Sequence, residues 1–309
     1  MACILFLKKM KNFGTKYKSE LILIFATMLW GGTFAVVKQS LNASSPMLFI
    51  GWRFLLAFLF LVPFLFKHKN EFTRKAVISG SLLGLFYFLG FATQTVGLKY
   101  TLATKSAFIT AISVVLVPLL QTTLEKRPPT KGALAGTAFV FLGVLFLSSG
   151  GGNVFDFLAD IGANFNLGDF LTLLCAFAFA AYIVYLDISS SRFGFWVILT
   201  MQILVTAVFS FIAAFLFDAA DIEPMKFELT EALIFGLIYT SLFTTLLTTI
   251  ILTKYQKNIT PTKAALIYSL EPLFASIFAF FLLGEMLGTF ALIGAGFILA
   301  GLIISEVWN

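Results

Sequence analysis

Histidine and cysteine are almost missing from this chain of 309 residues, which has one histidine, His68, and two cysteines, Cys3 and Cys175. Two distant cysteines make neither a disulfide framework nor a metal-ligand spacing. A single histidine leaves no zinc site and no His-based catalytic centre. Charge is scarce as well: 12% of residues are Asp, Glu, Lys or Arg, against 60% hydrophobic residues and 39 phenylalanines. A water-soluble domain carries about 25% charged residues. A GxxxxGK[ST] phosphate loop is also lacking, and the apolar runs hold no metal-ligand cluster, nucleophile motif or paired aspartates. An enzyme or an ATP-driven pump would need such groups, so no cofactor is expected.

What is present is a series of ten apolar runs punctuated by charges, prolines and glycines. The first five are Leu21–Val37, Pro46–Phe66, Ala76–Leu98, Thr101–Leu124 and Lys131–Ser149. The second five are Gly168–Asp187, Gly194–Phe217, Ala232–Thr253, Thr262–Leu283 and Thr289–Val307. This predicts an all-α integral membrane protein with ten transmembrane helices embedded in a lipid bilayer. Ahead of them, MACILFLKKMKNFGTKYKSE places its apolar start before Lys8, Lys9, Lys11, Lys16 and Lys18. That order is the reverse of a secretory signal, so residues 1–20 read as a basic cytoplasmic tail along the headgroups. Lys67, Lys69, Arg74, Lys75, Lys126, Arg127, Lys131, Arg192, Lys254 and Lys257 then fall on the same side as the tail. The connections opposite are acidic, with Asp156 and Asp160 in one and Asp218, Asp221, Glu223, Glu228 and Glu231 in another. The positive-inside rule puts both termini in the cytoplasm. It also accounts for the net charge of +6 without any nucleic-acid partner.

One stretch, TKAALIYSLEPLFASIFAFFLLGE from Thr262 to Glu285, carries a carboxylate near the middle of a membrane-length run. A charge there costs about 2.5–3.5 kcal/mol on insertion scales, so it persists where it pairs, titrates or meets a solute. At helical spacing Ala264, Tyr268, Glu271, Ala275 and Ala279 form a small, polar face directed into a bundle, while Ile267, Leu270, Phe274 and Phe281 are left to meet lipid. Pro272 removes the donor for the Tyr268 carbonyl and predicts a kink. Two roles are open to Glu271: a hydrogen-bond partner between helices, or a group that handles solute or protons.

The chain also resembles itself. TKSAFITAISVVLVPLLQTTLEKRPP from Thr104 and TKAALIYSLEPLFASIFAFFLLGEML from Thr262 share a Thr-Lys start, a proline and a terminal acid, Glu125 or Glu285. A Gly- and Ala-rich run follows each. Two units of five helices, residues 21–149 and 168–307 joined by an extracytoplasmic linker at 150–167, would enter the membrane from opposite sides. Such an inverted repeat puts a solute site near the midplane and allows alternating access.

The pieces LWGGTFAVVKQSL, SPMLFIGWRFLLAFLF, VGLKYTLATKSAFITAISVVLVPLL with its EKRP tail, and AALIYSLEPLFASIFAFFLLGE before a Gly-rich last helix have an order and spacing that resemble the drug/metabolite transporter superfamily. More narrowly, they are similar to its ten-helix EamA family. The resemblance implies a bacterial inner-membrane carrier, often an exporter of amino acids or other small metabolites, with a central cavity and no ATP-binding domain.

Candidate residues for that cavity, besides Glu271 and Tyr268, are Tyr87 and Gln94 on the third run. Ser106, Thr110 and Ser113 align on the fourth, and Ser241, Thr244 and Thr248 on the eighth. Each hydroxyl has an alternative use in bonding its own or a neighbouring backbone. Trp30, Thr33 and Tyr182 occupy inward-capable positions, although Trp and Tyr also anchor at interfaces. Lys105 and Lys263 hold matching places in the two units. They either snorkel or present one cation each to an anionic solute or an amino-acid carboxylate, as paired basic residues do in phosphate-translocating relatives. Arg53 and Lys38, near the outer side, are read as fixing helix ends or pairing with carboxylates, and Glu125 and Glu285 as structural or gating acids at interfaces. Gly132 and Gly136, with Gly294, Gly296 and Gly301, suit close helix packing within the chain or across a homodimer.

The function expected is secondary transport of a small solute, with proton coupling through Glu271 where the acid titrates, and uniport or exchange where it does not. Aromatic residues beside one acid leave a multidrug or quaternary-amine exporter as a second transport reading. A membrane sensor or scaffold that carries nothing is the rival from another class.

Overall fold

The computed structural model describes residues 17–149, 154–283 and 288–308. Most of the basic tail, the first part of the linker and Glu285 lie outside the described residues. Among those described the fold is all helical, and extended pairing is limited to one isolated bridge between Ser44 and Phe227. Helical backbone occupies every apolar run. The first run is divided into α1 (Lys18–Gly31) and α2 (Thr33–Ser40), and the second into α3 (Pro46–Leu59) and α4 (Val62–Lys67). Next come α5 (Arg74–Tyr100), the divided pair α6 (Ala103–Ala111) and α7 (Ser113–Glu125), and α8 (Lys131–Ser148). The linker contains a helix, α9 (Val154–Ala163). Phe157 of α9 meets the Phe108 ring at 5.4 Å, and this contact, with buried Val154, explains why the segment is helical and docked.

The second half begins with α10 (Leu167–Arg192) and α11 (Phe195–Ala219). α10 is started by a reciprocal capping box between Asn166 and Asp169. The eighth run is α12 (Glu231–Ile238), a π-helical stretch Tyr239–Leu247, and α13 (Thr248–Tyr255). The ninth is α14 (Pro261–Tyr268) and α15 (Glu271–Leu283), and α16 is Thr289–Val307. Seven helices or joined helices among the described residues are long and apolar enough to cross a membrane; Pro46–Leu59 and Leu292–Val307 are shorter apolar helices. Large apolar side chains such as Phe66, Phe215 and Ile303 stand outward, exposed by 79%, 64% and 63%. Such a surface suits hydrocarbon rather than water.

The glycine stripes are used within the chain. α8 packs on α16 so closely that a Cβ on Gly143 would stand 2.7 Å from the Gly294 carbonyl, and one on Gly136 would stand 2.6 Å from the Gly301 carbonyl. Gly296, by contrast, faces open space. The face assignment for the ninth run needs correction. Ile267 and Leu270, expected to meet lipid, are 3% and 4% exposed and lie in the core. The reason is that the helix stops instead of kinking: α14 ends at Tyr268, Ser269 and Leu270 form a turn, and a new helix starts at Glu271. The turn resets the helical register, so a face extrapolated through Pro272 does not continue.

Candidate functional site

Three interruptions of helix border one cavity. Thr33 follows the break at Gly32, Ser113 follows the break at Ile112, and Ser269 lies in the turn before Glu271; all three line the same cavity. Gly31 is needed for this convergence, because a Cβ there would stand 2.8 Å from Phe274 Cβ and 2.9 Å from the Ala275 amide of α15. Glu271 opens α15, where the free amides of a helix N-terminus favour negative charge. Among the described residues it has no hydrogen bond and no ion pair. Arg53 is the charged group that acts on it electrostatically.

Arg53 is the residue that sequence reasoning misplaced. Neither fixing a helix end nor, among the described residues, paired with a carboxylate at contact distance, it lines the cavity with only 2% exposure. Its Nε donates to Thr245 Oγ1 at 2.6 Å, and its Nη2 donates to the Thr244 carbonyl at 3.3 Å and to Thr244 Oγ1 at 3.2 Å. The guanidinium carbon lies 4.5 Å from the centre of the Phe91 ring, in cation–π contact. Local backbone explains the partners. In the π-helical stretch the ordinary i to i−4 bonding is displaced, which leaves the Thr244 carbonyl able to accept from Arg53 and, at 3.2 Å, from Trp30 Nε1. The signal that could have found Arg53 is the one that found Glu271, a lone charge inside an apolar run.

Of the residues expected at the site, the structure brings together Glu271, Tyr268, Gln94, Tyr87, Trp30, Thr33, Thr110 and Tyr182 as cavity lining. The aromatic members are fixed by their polar ends. Tyr87 and Tyr182 stack at 4.4 Å, with Tyr182 Oη donating to Gln202 Oε1 at 2.8 Å and Gln202 Nε2 donating to Thr253 Oγ1 at 2.9 Å. Tyr268 Oη donates to Gln256 Oε1 at 2.8 Å, and Gln256 Nε2 donates to the Ile183 carbonyl at 2.7 Å. Trp30 meets the Tyr268 ring edge-on at 5.4 Å. Gln94 Nε2 donates to Thr110 Oγ1 at 3.2 Å. Thr33 Oγ1 is buried without a protein partner.

Four expected residues stand elsewhere. Ser106 is fully buried and shares a hydrogen bond of 3.3 Å with Thr172, so it joins helices. Thr244 holds Arg53 from behind and does not line the space. Lys105, 5% exposed, pairs with the fully buried Asp169 at 2.8 Å and donates to the Asn164 carbonyl at 3.2 Å. Thr101 Oγ1 donates to the other Asp169 oxygen at 2.6 Å. Lys263 pairs with Glu20 at 2.7 Å and also with Glu306. Neither lysine snorkels freely and neither reaches the cavity, because acids at the starts of α10 and α1 claim them first.

Fold and cavity together define a multi-pass helical membrane protein with an internal pocket lined by a carboxylate and a guanidinium. The chain belongs to the EamA-like transporter family, whose profile matches residues 18–149 and 166–306. It is therefore a member of the drug/metabolite transporter superfamily. It is 34% identical to an uncharacterized transporter of Archaeoglobus fulgidus, over 93% of this chain and 85% of that protein. A second uncharacterized transporter of the same organism is 27% identical over 93% of this chain and 97% of its own length. Uncharacterized transporter YyaM of Bacillus subtilis is 32% identical over 42% of this chain and 44% of its own. A crystal structure at 17% identity superposes with a TM-score of 0.74, covering 94% of this chain and 98% of that one, and so shares the fold. Family and relatives point to a transporter rather than an enzyme.

Proposed function

We propose that the protein is a secondary carrier that exports amino acids or similar small amphipathic metabolites by alternating access. The observation that carries this reading is the cavity lined by Glu271, a carboxylate that no group among the described residues neutralises at contact distance. A charge in that setting is expected to serve a solute or a proton. Ten crossings as two inverted units, with the two matched segments as those units and both termini cytoplasmic in a bacterial inner membrane, would put the cavity at their junction. Rocking of one unit against the other would then open it to either side. Protonation of Glu271 would couple flux to a proton gradient. The aromatic lining, Trp30, Phe34, Tyr87, Phe91, Phe179, Tyr182 and Tyr268, favours, as a second reading, export of bulky cations. Arg53 in the same space weighs against it.

The test is counterflow of a labelled amino-acid and metabolite panel in proteoliposomes, comparing the native chain with Glu271→Gln. Counterflow needs no knowledge of the driving ion. The expected result is that one solute class exchanges and the variant loses either that exchange or its drive by an imposed pH gradient. No movement of any solute by folded protein would refute the carrier reading.

A further inference from the structure

Three tyrosines of the cavity are fastened to one face of one helix. Tyr87 of α5 shares a hydrogen bond of 3.3 Å with Thr249 Oγ1, Tyr182 of α10 reaches Thr253 through Gln202, and Tyr268 of α14 donates to Gln256 Oε1 at 2.8 Å. Thr249 and Thr253 lie on α13 and Gln256 follows its last residue, at a spacing that keeps all three on one side of a helix. None of these residues is exposed by more than 8%. Leu252 of α13 and Ala265 of α14 line the cavity beside them and are buried as well, so packed side chains separate the cavity from the end of the helix that carries Lys254 and Lys257. α13 follows directly on the π-helical stretch Tyr239–Leu247. Bonds to backbone carbonyls tie that stretch to α1 and α3: Thr244 accepts from Trp30 and Arg53, and Tyr239 Oη donates to the Leu29 carbonyl at 2.6 Å. The third run of the first unit, α5, is continuous α-helix, so crossing does not itself require π geometry. Such segments are rare and gather at functional sites.

We propose that α13 is the cytoplasmic gate of the carrier, with the π-helical stretch as its hinge and Tyr87, Tyr182 and Tyr268 as its latch. This rests on the carrier reading and the orientation proposed above, and it names the element that moves. The two sides of the hinge are built differently. Upstream, side-chain donors grip backbone carbonyls and fix the path of the chain. Downstream, the tyrosine contacts run between side-chain ends, and neutral hydrogen bonds of this kind are individually weak and exchangeable for water once a path opens. Swinging α13 about the π-helical stretch parts the tyrosines from their partners and uncovers the inner end of the cavity, while Trp30 and Arg53 stay on Thr244. Hinges of this type need only a few residues at the end of an element. The opposite end of the cavity is closed by other means: Phe34, Val37 and Leu98 meet there in an apolar cluster, and Lys38 donates to the Thr101 carbonyl at 3.1 Å. Two mouths closed by different elements can open in turn, as alternating access requires. Tyr268 ends α14 and the Ser269–Leu270 turn leads straight to Glu271, so a solute at the acid lies beside the latch.

The experiment uses Ala265→Cys as the single cysteine, in a full chain carrying Cys3→Ser and Cys175→Ala, and follows its labelling by a membrane-impermeant thiol reagent in inside-out and right-side-out vesicles. Tyr182→Phe with Tyr268→Phe keeps both rings and removes two latch hydroxyls. Labelling from the cytoplasmic face should rise about tenfold or more in this double variant, as expected for lost hydrogen bonds, and labelling from the other face should not rise. Either single substitution should give a smaller rise in the same direction, and serves where the pair does not fold. Tyr185→Phe, whose hydroxyl accepts from Ser79 away from the latch, should leave the rate unchanged. Spin labels on Lys75→Cys and Lys257→Cys should gain a longer distance in the double variant, while labels on Tyr100→Cys and Ile234→Cys, across the π-helical stretch, keep theirs. Unchanged labelling in the folded variants, or a rise only from the opposite face, overturns the gate, and counterflow by the native chain then leaves the carrier reading standing. A shift in both label pairs overturns the hinge. If the variants respond as expected and the native chain moves no solute, the latch and hinge stand and the carrier reading falls.

Discussion

Two sets of charge sit inside or at the edge of this apolar chain, and the protein treats them in opposite ways. Lys105 is held by Asp169, Asp160 and the Asn164 carbonyl, and Lys263 by Glu20 and Glu306. Each of these ion pairs ties the start of one helix to another. Arg53 and Glu271 share a cavity, act on one another electrostatically and form no ion pair. A charge fully answered by protein groups holds helices in register. A charge left partly unanswered beside open space is placed for something that arrives from outside. The distinction predicts that the first set matters for stability and the second for function.

The largest stability loss is expected from Asp169→Ala, which removes the buried partner of Lys105 at 2.8 Å and leaves it only the half-exposed Asp160 at 3.8 Å. Breaking one side of a buried pair costs about 3–5 kcal/mol. Unfolding of the detergent-solubilised protein measures it, and the double variant Lys105→Met with Asp169→Leu should recover most of the loss. Next comes the uncharged helix contact between α8 and α16. Gly143→Leu would drive a side chain into the Gly294 carbonyl and Ile298, with a cost of about 1–3 kcal/mol or more, whereas Gly296→Leu, facing open space, should be nearly neutral in the same assay. Lys263→Gln should cost about 1 kcal/mol or less, because its side chain is 25% exposed and solvent screens the pair. Smallest of all is the stability change for Glu271→Gln, which removes a charge that has no contact partner. Its effect should fall on transport, as is common where active sites trade stability for function.

Sequence periodicity located helical backbone in every apolar run, because length and hydrophobicity decide that question locally. It also singled out Glu271, since one carboxylate in a membrane-length run stands out against its neighbours. What it could not supply was partnership. Lys105 and Asp169 are far apart in the chain, so nothing local showed that the lysine was already occupied. The same applies to Lys263 and Glu20. Arg53 was discounted because its distance from the start of its run suggested a boundary, yet the decisive fact was the π-helical turn at Tyr239–Leu247, which no hydrophobic pattern announces. The turn at Ser269–Leu270 defeated the face assignment of the ninth run for a related reason. Periodicity carries across a kink but not across a stop.

The glycines give the complementary lesson. Gly132, Gly136, Gly294 and Gly301 were legible as close-packing residues, but whether they joined helices of one chain or of two was not. The backbone approaches between α8 and α16 show that Gly136, Gly143, Gly294 and Gly301 pack within the chain.

The central claim, that Glu271 belongs to a solute site and not to the scaffold, is tested most directly by thermal unfolding of purified native protein and Glu271→Gln with and without the amino-acid panel. The account predicts equal unfolding temperatures without solute, a rise for the native protein with at least one amino acid, and no rise for the variant. A variant that unfolds well below the native protein in the absence of solute, or that is stabilised by the same amino acid to the same extent, would contradict it.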